Sequence, residues 1–116
     1  MANCPTETTE QIRVVEYCEK LGLPVFHIPN GFKASKGYRF TLYRMGLRSG
    51  VPDLFIPVPK GSKHGLFIEM KRRSGSRTTD KQKEWQKRLN AQGYVSVICK
   101  GYIEALDAIT DYMLES

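Results

Sequence analysis

Two carboxylates and a lysine are the residues of this 116-residue chain whose types and spacing could do chemistry. Asp53 follows Val51-Pro52, and sixteen residues later comes Glu69-Met70-Lys71. Between Lys20 and Thr79 these are the only two acids, whereas the same interval holds twelve basic residues. Carboxylates isolated in a cationic field suit a hard divalent ion: Mg2+ takes one or two of them and completes its shell with water and phosphate oxygens. The surrounding cations are left to hold a polyanion. Such an arrangement fits phosphodiester hydrolysis, in which the ion activates a water and the nearby ammonium positions it or stabilises the anionic transition state.

The elements that must position these groups lie between Gly50 and Lys71. Leu54 to Val58 and Leu66 to Lys71 are apolar runs of strand length, and Pro59 to Gly65 between them has hairpin-loop composition. Strand alternation sends Glu69 and Lys71 to one side and Met70 to the other. Antiparallel pairing sets the start of the first strand beside the end of the second, so Asp53, Glu69 and Lys71 converge. Charges at the edge of an apolar sheet are costly and have no packing purpose, which marks them as functional.

Around this hairpin the order is helix, strand, short helix, two strands, helix, strand, helix. The fold class is α/β, a mixed sheet flanked by helices. The first helix starts near Thr8, with Thr8 and Gln11 at capping-box spacing, and runs to about Leu21. Its apolar face is Glu10, Val14, Cys18 and Leu21. Glu10 reads either as a favourable charge at a helix N-terminus or as a carboxylate reaching the metal, and periodicity alone favours the first. Val25 to Ile28 is a short strand, where His27 is more simply packed or hydrogen bonded than a ligand. Asn30 to Arg39 reads as a basic, aromatic loop of phosphate-contacting character, and Arg39 to Met45 as a short helix stopped by Gly46. Arg72 to Arg77 is a second basic loop. A third helix runs from Thr78-Thr79-Asp80 to about Gln92, with Gln82, Trp85 and Leu89 turned inward. Gln82 either completes a capping box with Thr79 or orients substrate near the metal, and the spacing serves both. Tyr94 to Cys99 reads as a central strand from its apolar run. A last helix opens at Gly101 and packs through Tyr102, Leu106, Ile109 and Met113, leaving its acids on the solvated side.

The length fits one domain, spanning 1–116 with a core of about 6–114. A net charge of +6 and a pI near 9.3 favour anionic partners, and the clustering of the cations makes that partner nucleic acid. No apolar run approaches the roughly 20 residues that span a bilayer, so no membrane partner is expected. Three cysteines without C-x-x-C spacing, two of them in apolar patterns, point to small core residues and a reduced, cytoplasmic protein.

The Asp53 and Glu69-Met70-Lys71 pattern resembles the PD-(D/E)XK nuclease signature. With Asn30-Gly31, Gly46 to Leu54, Phe67 to Lys71, Gln82 with Trp85, and Gly93, it resembles a VRR-NUC domain of the stand-alone kind found in phages and bacteria. The resemblance runs from Glu10 to about Leu106. It implies a restriction-endonuclease-like fold and an endonuclease that hydrolyses DNA with Mg2+ or Mn2+. By position, Asp53, Glu69 and the backbone carbonyl of Met70 are expected to hold metal. Lys71 is the catalytic lysine, Gln82 the motif glutamine, and Glu10 the first-helix acid, in the outer shell or at a second ion. The expected DNA contacts are Asn30, Lys33, Lys36, Arg39, Arg44, Arg48, Arg72, Arg73 and Arg77. Stand-alone members imply cleavage of branched DNA, the four-way junction above all, by a homodimer. The alternatives are a nuclease for flaps, nicks or duplex, and a non-catalytic nucleic-acid-binding module.

Overall fold

The computed structural model describes residues 4–30 and 35–115. Helix α1 (Glu7–Lys20) starts where the Thr6 hydroxyl accepts from the N–H of Thr9 at 3.1 Å, satisfying a donor that the first turn cannot. The cap is therefore Thr6, and not the expected Thr8. That shift brings Glu7 into the first helical turn. The α1 stripe buries Glu10, Val14 and Cys18, but Leu21 is 53% exposed because the helix has ended at Lys20.

Strand β1 (Phe26–His27) has only two residues. Helix α2 (Lys36–Arg44) begins three residues earlier than expected, since the Ser35 hydroxyl accepts from the N–H of Tyr38. No residue of α2 is buried. Strands β2 (Leu54–Ile56) and β3 (Leu66–Lys71) form the expected antiparallel hairpin, with Leu54 opposite Ile68. Helix α3 (Asp80–Ala91) carries a complete Thr79–Gln82 capping box. It leads to β4 (Val95–Lys100), which runs parallel to β3, and α4 (Gly101–Met113) follows.

The sheet order is β1-β2-β3-β4. The structure therefore corrects one expectation: β4 is an edge strand, and β3 has a neighbour on each side. Helices explain why an edge strand reads as apolar, because both α3 and α4 pack on β4. Its outward backbone groups are largely taken. Ser96 accepts from the side-chain amides of Gln86 and Asn90, its N–H donates to Asn90 Oδ1, and the N–H of Lys100 donates to Glu104.

Alternation divides the sheet into two faces. Leu54, Ile56, Leu66, Ile68, Met70 and Cys99 point into the core shared with Val14 and Cys18 of α1 and Ala105, Ile109 and Tyr112 of α4. Tyr112 anchors this layer by donating its hydroxyl to the Val58 carbonyl at 2.5 Å. On α4 the buried line is Ala105, Ile109 and Tyr112, with the expected Tyr102 and Met113 beside it and partly covered. The opposite sheet face carries Phe55, Phe67 and, at its end, Glu69 and Lys71. Phe55 stacks on Phe67 at 4.2 Å between centroids. No described helix is long and apolar enough to cross a membrane.

Gly50 joins the hairpin to α3. Its φ is +89°, and a Cβ there would lie 2.7 Å from the Lys81 carbonyl carbon and 2.9 Å from the Gln82 nitrogen. Both obstacles are backbone and cannot rotate away. Gly50→Ala is expected to cost about 1–3 kcal/mol of stability, read as a lower urea midpoint; an unchanged midpoint would show that α3 yields freely.

Candidate metal centre

The hairpin register puts Asp53 beside Glu69, as the residue before the Leu54–Ile68 pair. Asp53 is held from several directions. Its Oδ2 accepts from the Met70 N–H at 2.7 Å, and its carbonyl accepts from the Ile28 N–H at 2.8 Å. His27 Nδ1 lies 2.9 Å from that same carbonyl and 3.1 Å from Gln11 Nε2. His27 is thus a hydrogen-bonded strand residue that steadies the backbone of Asp53. Asn30, expected among the DNA contacts, donates its amide to the Val51 carbonyl at 2.5 Å and fixes the entry to the same turn.

Glu69 is 4% exposed. Its Oε2 accepts from Gln82 Nε2 at 3.2 Å, while the Oε1 of Gln82 accepts from the Thr79 N–H at 2.9 Å. Gln82 therefore does both things its spacing allowed: it closes the helix cap and reaches the carboxylate. Lys71 is 7% exposed on the same sheet face, near enough for its charge to act on both Glu69 and Glu7.

The third acid is Glu7, which sequence reasoning missed. One carboxylate oxygen each from Glu7, Asp53 and Glu69 lie within 4.8 Å of one another. Glu10, the acid read from the sequence as the first-helix partner, lies apart from this cluster. It is fully buried, pairs with Arg73 at 3.0 Å and accepts the N–H of Tyr102 at the start of α4. Gly101, with φ +82°, leaves room for it: a Cβ there would sit 2.6 Å from Glu10 Oε2. The available signal was that Glu7 and Glu10 stand three apart, one turn of the same helix. Choosing between them required the true cap.

Burial raises the pKa of Glu69, and the carboxylates of Asp53 and Glu7 add to the rise against an opposing pull from Lys71. Burial and Asp53 raise that of Glu7 in the same sense. Three carboxylates this close together fit a bound cation, and three details of this site agree. Glu69 Oε1 is buried with no hydrogen-bond partner. The donors are all oxygens, which suits a hard ion over a thiolate- or imidazole-seeking one. Because a strand residue presents its N–H and C=O on the same edge, the Met70 carbonyl shares the edge on which its N–H meets Asp53.

The expected phosphate-contacting cations differ in how far they are already engaged. Lys36, Arg39 and Arg44 stand exposed on α2, and Arg77 is exposed in the loop before α3. Arg48 Nη1 donates to the carbonyls of Tyr43 and Leu47, and Arg72 donates to the Cys4 carbonyl at 3.4 Å. Arg73 is engaged by Glu10, and Lys33 lies outside the described residues.

Two outcomes follow from these contacts. Glu10→Ala is expected to lose about 1–3 kcal/mol, the cost of leaving the N–H of Tyr102 without its partner, with little added by Arg73, which is 46% exposed; a wild-type urea midpoint would remove Glu10 from the stabilising contacts. For Glu69 the unfolded chain releases its proton near pH 4.5 and the folded chain only later, so stability falls as pH rises above that value. In EDTA, the melting temperature should decline from about pH 5 to about pH 8, and less steeply in Glu69→Gln. Equal slopes in the two proteins would contradict the assignment.

The VRR-NUC domain family matches residues 32–102. A solved structure described as a VRR_NUC domain protein is 28% identical, with a TM-score of 0.82 over 96% of this chain and 90% of its own. A second, described as a VRR_NUC domain, is 22% identical with a TM-score of 0.66 over 93% and 99%, and shares the fold. No curated protein matches the chain. Family match, sheet order and acidic cluster agree, and this chain belongs to the VRR-NUC domain family, with its nuclease-type fold.

Proposed function

We propose that this chain is a DNA endonuclease that works with Mg2+ or Mn2+ held by Glu7, Asp53 and Glu69, with the Met70 carbonyl as a further oxygen donor. The observation that carries the reading is the meeting of three carboxylate oxygens within 4.8 Å, beside a buried Lys71 and an unpartnered Glu69 oxygen. A cation bound there would supply Lewis acidity, lowering the pKa of an attacking water and offsetting charge on the phosphate.

The chain's own groups do the rest. Lys71, fixed on the rigid central strand, positions the attacking water and stabilises negative charge as it grows on the phosphate oxygens. Gln82 holds Glu69 through one amide arm while the helix cap holds the other, so the carboxylate does not swing. Glu10 serves as a positioning residue, tying the segment after Lys71 to α4 through Arg73 and Tyr102. Lys36, Arg39, Arg44, Arg48, Arg72 and Arg77 supply cations for backbone phosphates. Phosphate contacts carry little sequence information, which supports recognition of DNA shape, with a four-way junction as the preferred form. One centre cuts one strand, and a twofold pair of chains would match a twofold junction.

The test compares a four-way junction, a flap, a nicked duplex, plain duplex and single strand at one salt concentration, with Mg2+ and with Mn2+. Cleavage should require the metal and favour the junction. Asp53→Asn, Glu7→Gln and Lys71→Met should each lose on the order of a hundredfold or more in rate while still binding DNA. Full activity of the Asp53 or Lys71 variant would sink the mechanism. Preference for another of these DNAs would reassign the substrate alone, and mass measurement in solution decides the dimer.

A further inference from the structure

Helix α2 presents a problem that the metal centre does not explain. None of its residues is buried, and Tyr38, Phe40 and Tyr43 are 56–64% exposed. Aromatic rings in water on a helix without a core-facing side lack a packing purpose. Beside this helix lies an open cleft of about 610 Å3, walled by α2, the segment after it and the side of α3 that carries Lys81 and Trp85, so that Trp85, expected to turn inward, is only half-buried and faces the cleft. That volume falls within the roughly 300–1,000 Å3 typical of sites for small molecules.

The cleft has two ring platforms, each already topped by a guanidinium. Arg48 lies 4.0 Å over Tyr43, locked there by its hydrogen bonds to the carbonyls of Tyr43 and Leu47. Arg88 lies 4.5 Å over Trp85. Arg39 and Lys81 complete the lining cations, against the single carboxylate of Glu84. The cleft also adjoins the metal centre. Lys81 directly precedes Gln82, which holds Glu69, and Gly50 presses its backbone against both residues.

We propose that this cleft receives an unpaired nucleobase of the DNA strand, stacked on the Arg48–Tyr43 and Arg88–Trp85 pairs, whose planar guanidiniums extend the ring platforms, with Arg39 and Lys81 holding the phosphates on either side. Aromatic stacking takes any base, and cations track the backbone, which is how single strands are held without sequence preference. Charge complementarity selects this occupant over a second copy of the chain. Helix α2 carries Lys36, Arg39 and Arg44 and no acid, and the cleft wall adds further cations, so two such surfaces would repel. The consequence is selectivity for DNA with a locally open pair, as at a branch point or flap. The inference rests on the reading of the chain as a DNA-cutting enzyme, but binding tests it separately from cleavage.

Trp85 is the only tryptophan, so its fluorescence reports the cleft directly. In EDTA, an oligothymidine should quench it and bind on the order of tenfold more tightly than an abasic deoxyribose-phosphate strand of the same length. Trp85→Ala and Tyr43→Ala should erase most of that difference, measured with a labelled oligonucleotide, and Trp85→Phe should restore it; circular dichroism confirms that each variant is folded. Equal affinity of the wild-type chain for thymidine and abasic strands would overturn the proposal. So would a concentration-dependent doubling of mass that Tyr43→Ala abolishes, which would assign the surface to a second copy. Wild-type cleavage in Mn2+ with no preference for bases would defeat the stacking site alone. Base-dependent binding without cleavage of any DNA would defeat the nuclease reading and leave the cleft standing.

Discussion

Like charges gathered at one end of the hairpin are the constraint on which the remaining structure depends. Carboxylates a few ångströms apart repel strongly wherever water is excluded, and Glu69 sits almost wholly out of solvent. The fold tolerates this by surrounding the group with donors: a backbone N–H on Asp53, an amide on Glu69 and the ammonium of Lys71 on the same face. One oxygen is nevertheless left without a partner. A carboxylate placed at such cost, in a protein whose buried side chains are mostly apolar, is the kind of group whose shifted proton affinity marks a candidate functional site.

Much of the irregular structure serves that one turn. A two-residue strand adds little stability by itself, yet β1 and the residue after it fix the Asp53 carbonyl through His27 and Ile28. Asn30 secures the residue before Pro52. Gly50 permits α3 to come close enough for Gln82 to meet Glu69. On the other side, Glu10, Arg73 and Tyr102 join α1, the segment after β3 and α4 in one network. Two first-helix acids thus divide the work, one turned toward the acidic cluster and the other toward the frame.

The hairpin, both long terminal helices and the acid pair were legible in the sequence because each rests on short-range chemistry. Strand alternation, a Thr-x-x-Gln cap and a basic interval with two acids all lie within a few residues or one hairpin. What was not legible depended on longer reach or finer phase. Thr6 and Thr8 are both competent caps, and only packing of α1 decides between them, which in turn decides whether Glu7 or Glu10 faces the carboxylates. The position of β4 failed for a related reason: burial by helices on both faces gives an edge strand the same apolar run as a central one. Ser35 in a basic, aromatic stretch suits a loop, yet a serine before such a run also caps a helix, as it does for α2.

That edge strand carries a further implication. An unprotected sheet margin invites another chain to add itself by main-chain pairing, and repeated addition gives aggregates. Here side chains from α3 and α4 have already taken the outward positions at Ser96 and Lys100, leaving Ile98 between them too short a stretch to template a ladder. Growth of the sheet by self-recruitment along this margin is closed off. For a protein of net charge +6, drawn to anionic surfaces where copies can meet, the β4 margin is thereby kept from being continued by a neighbouring chain.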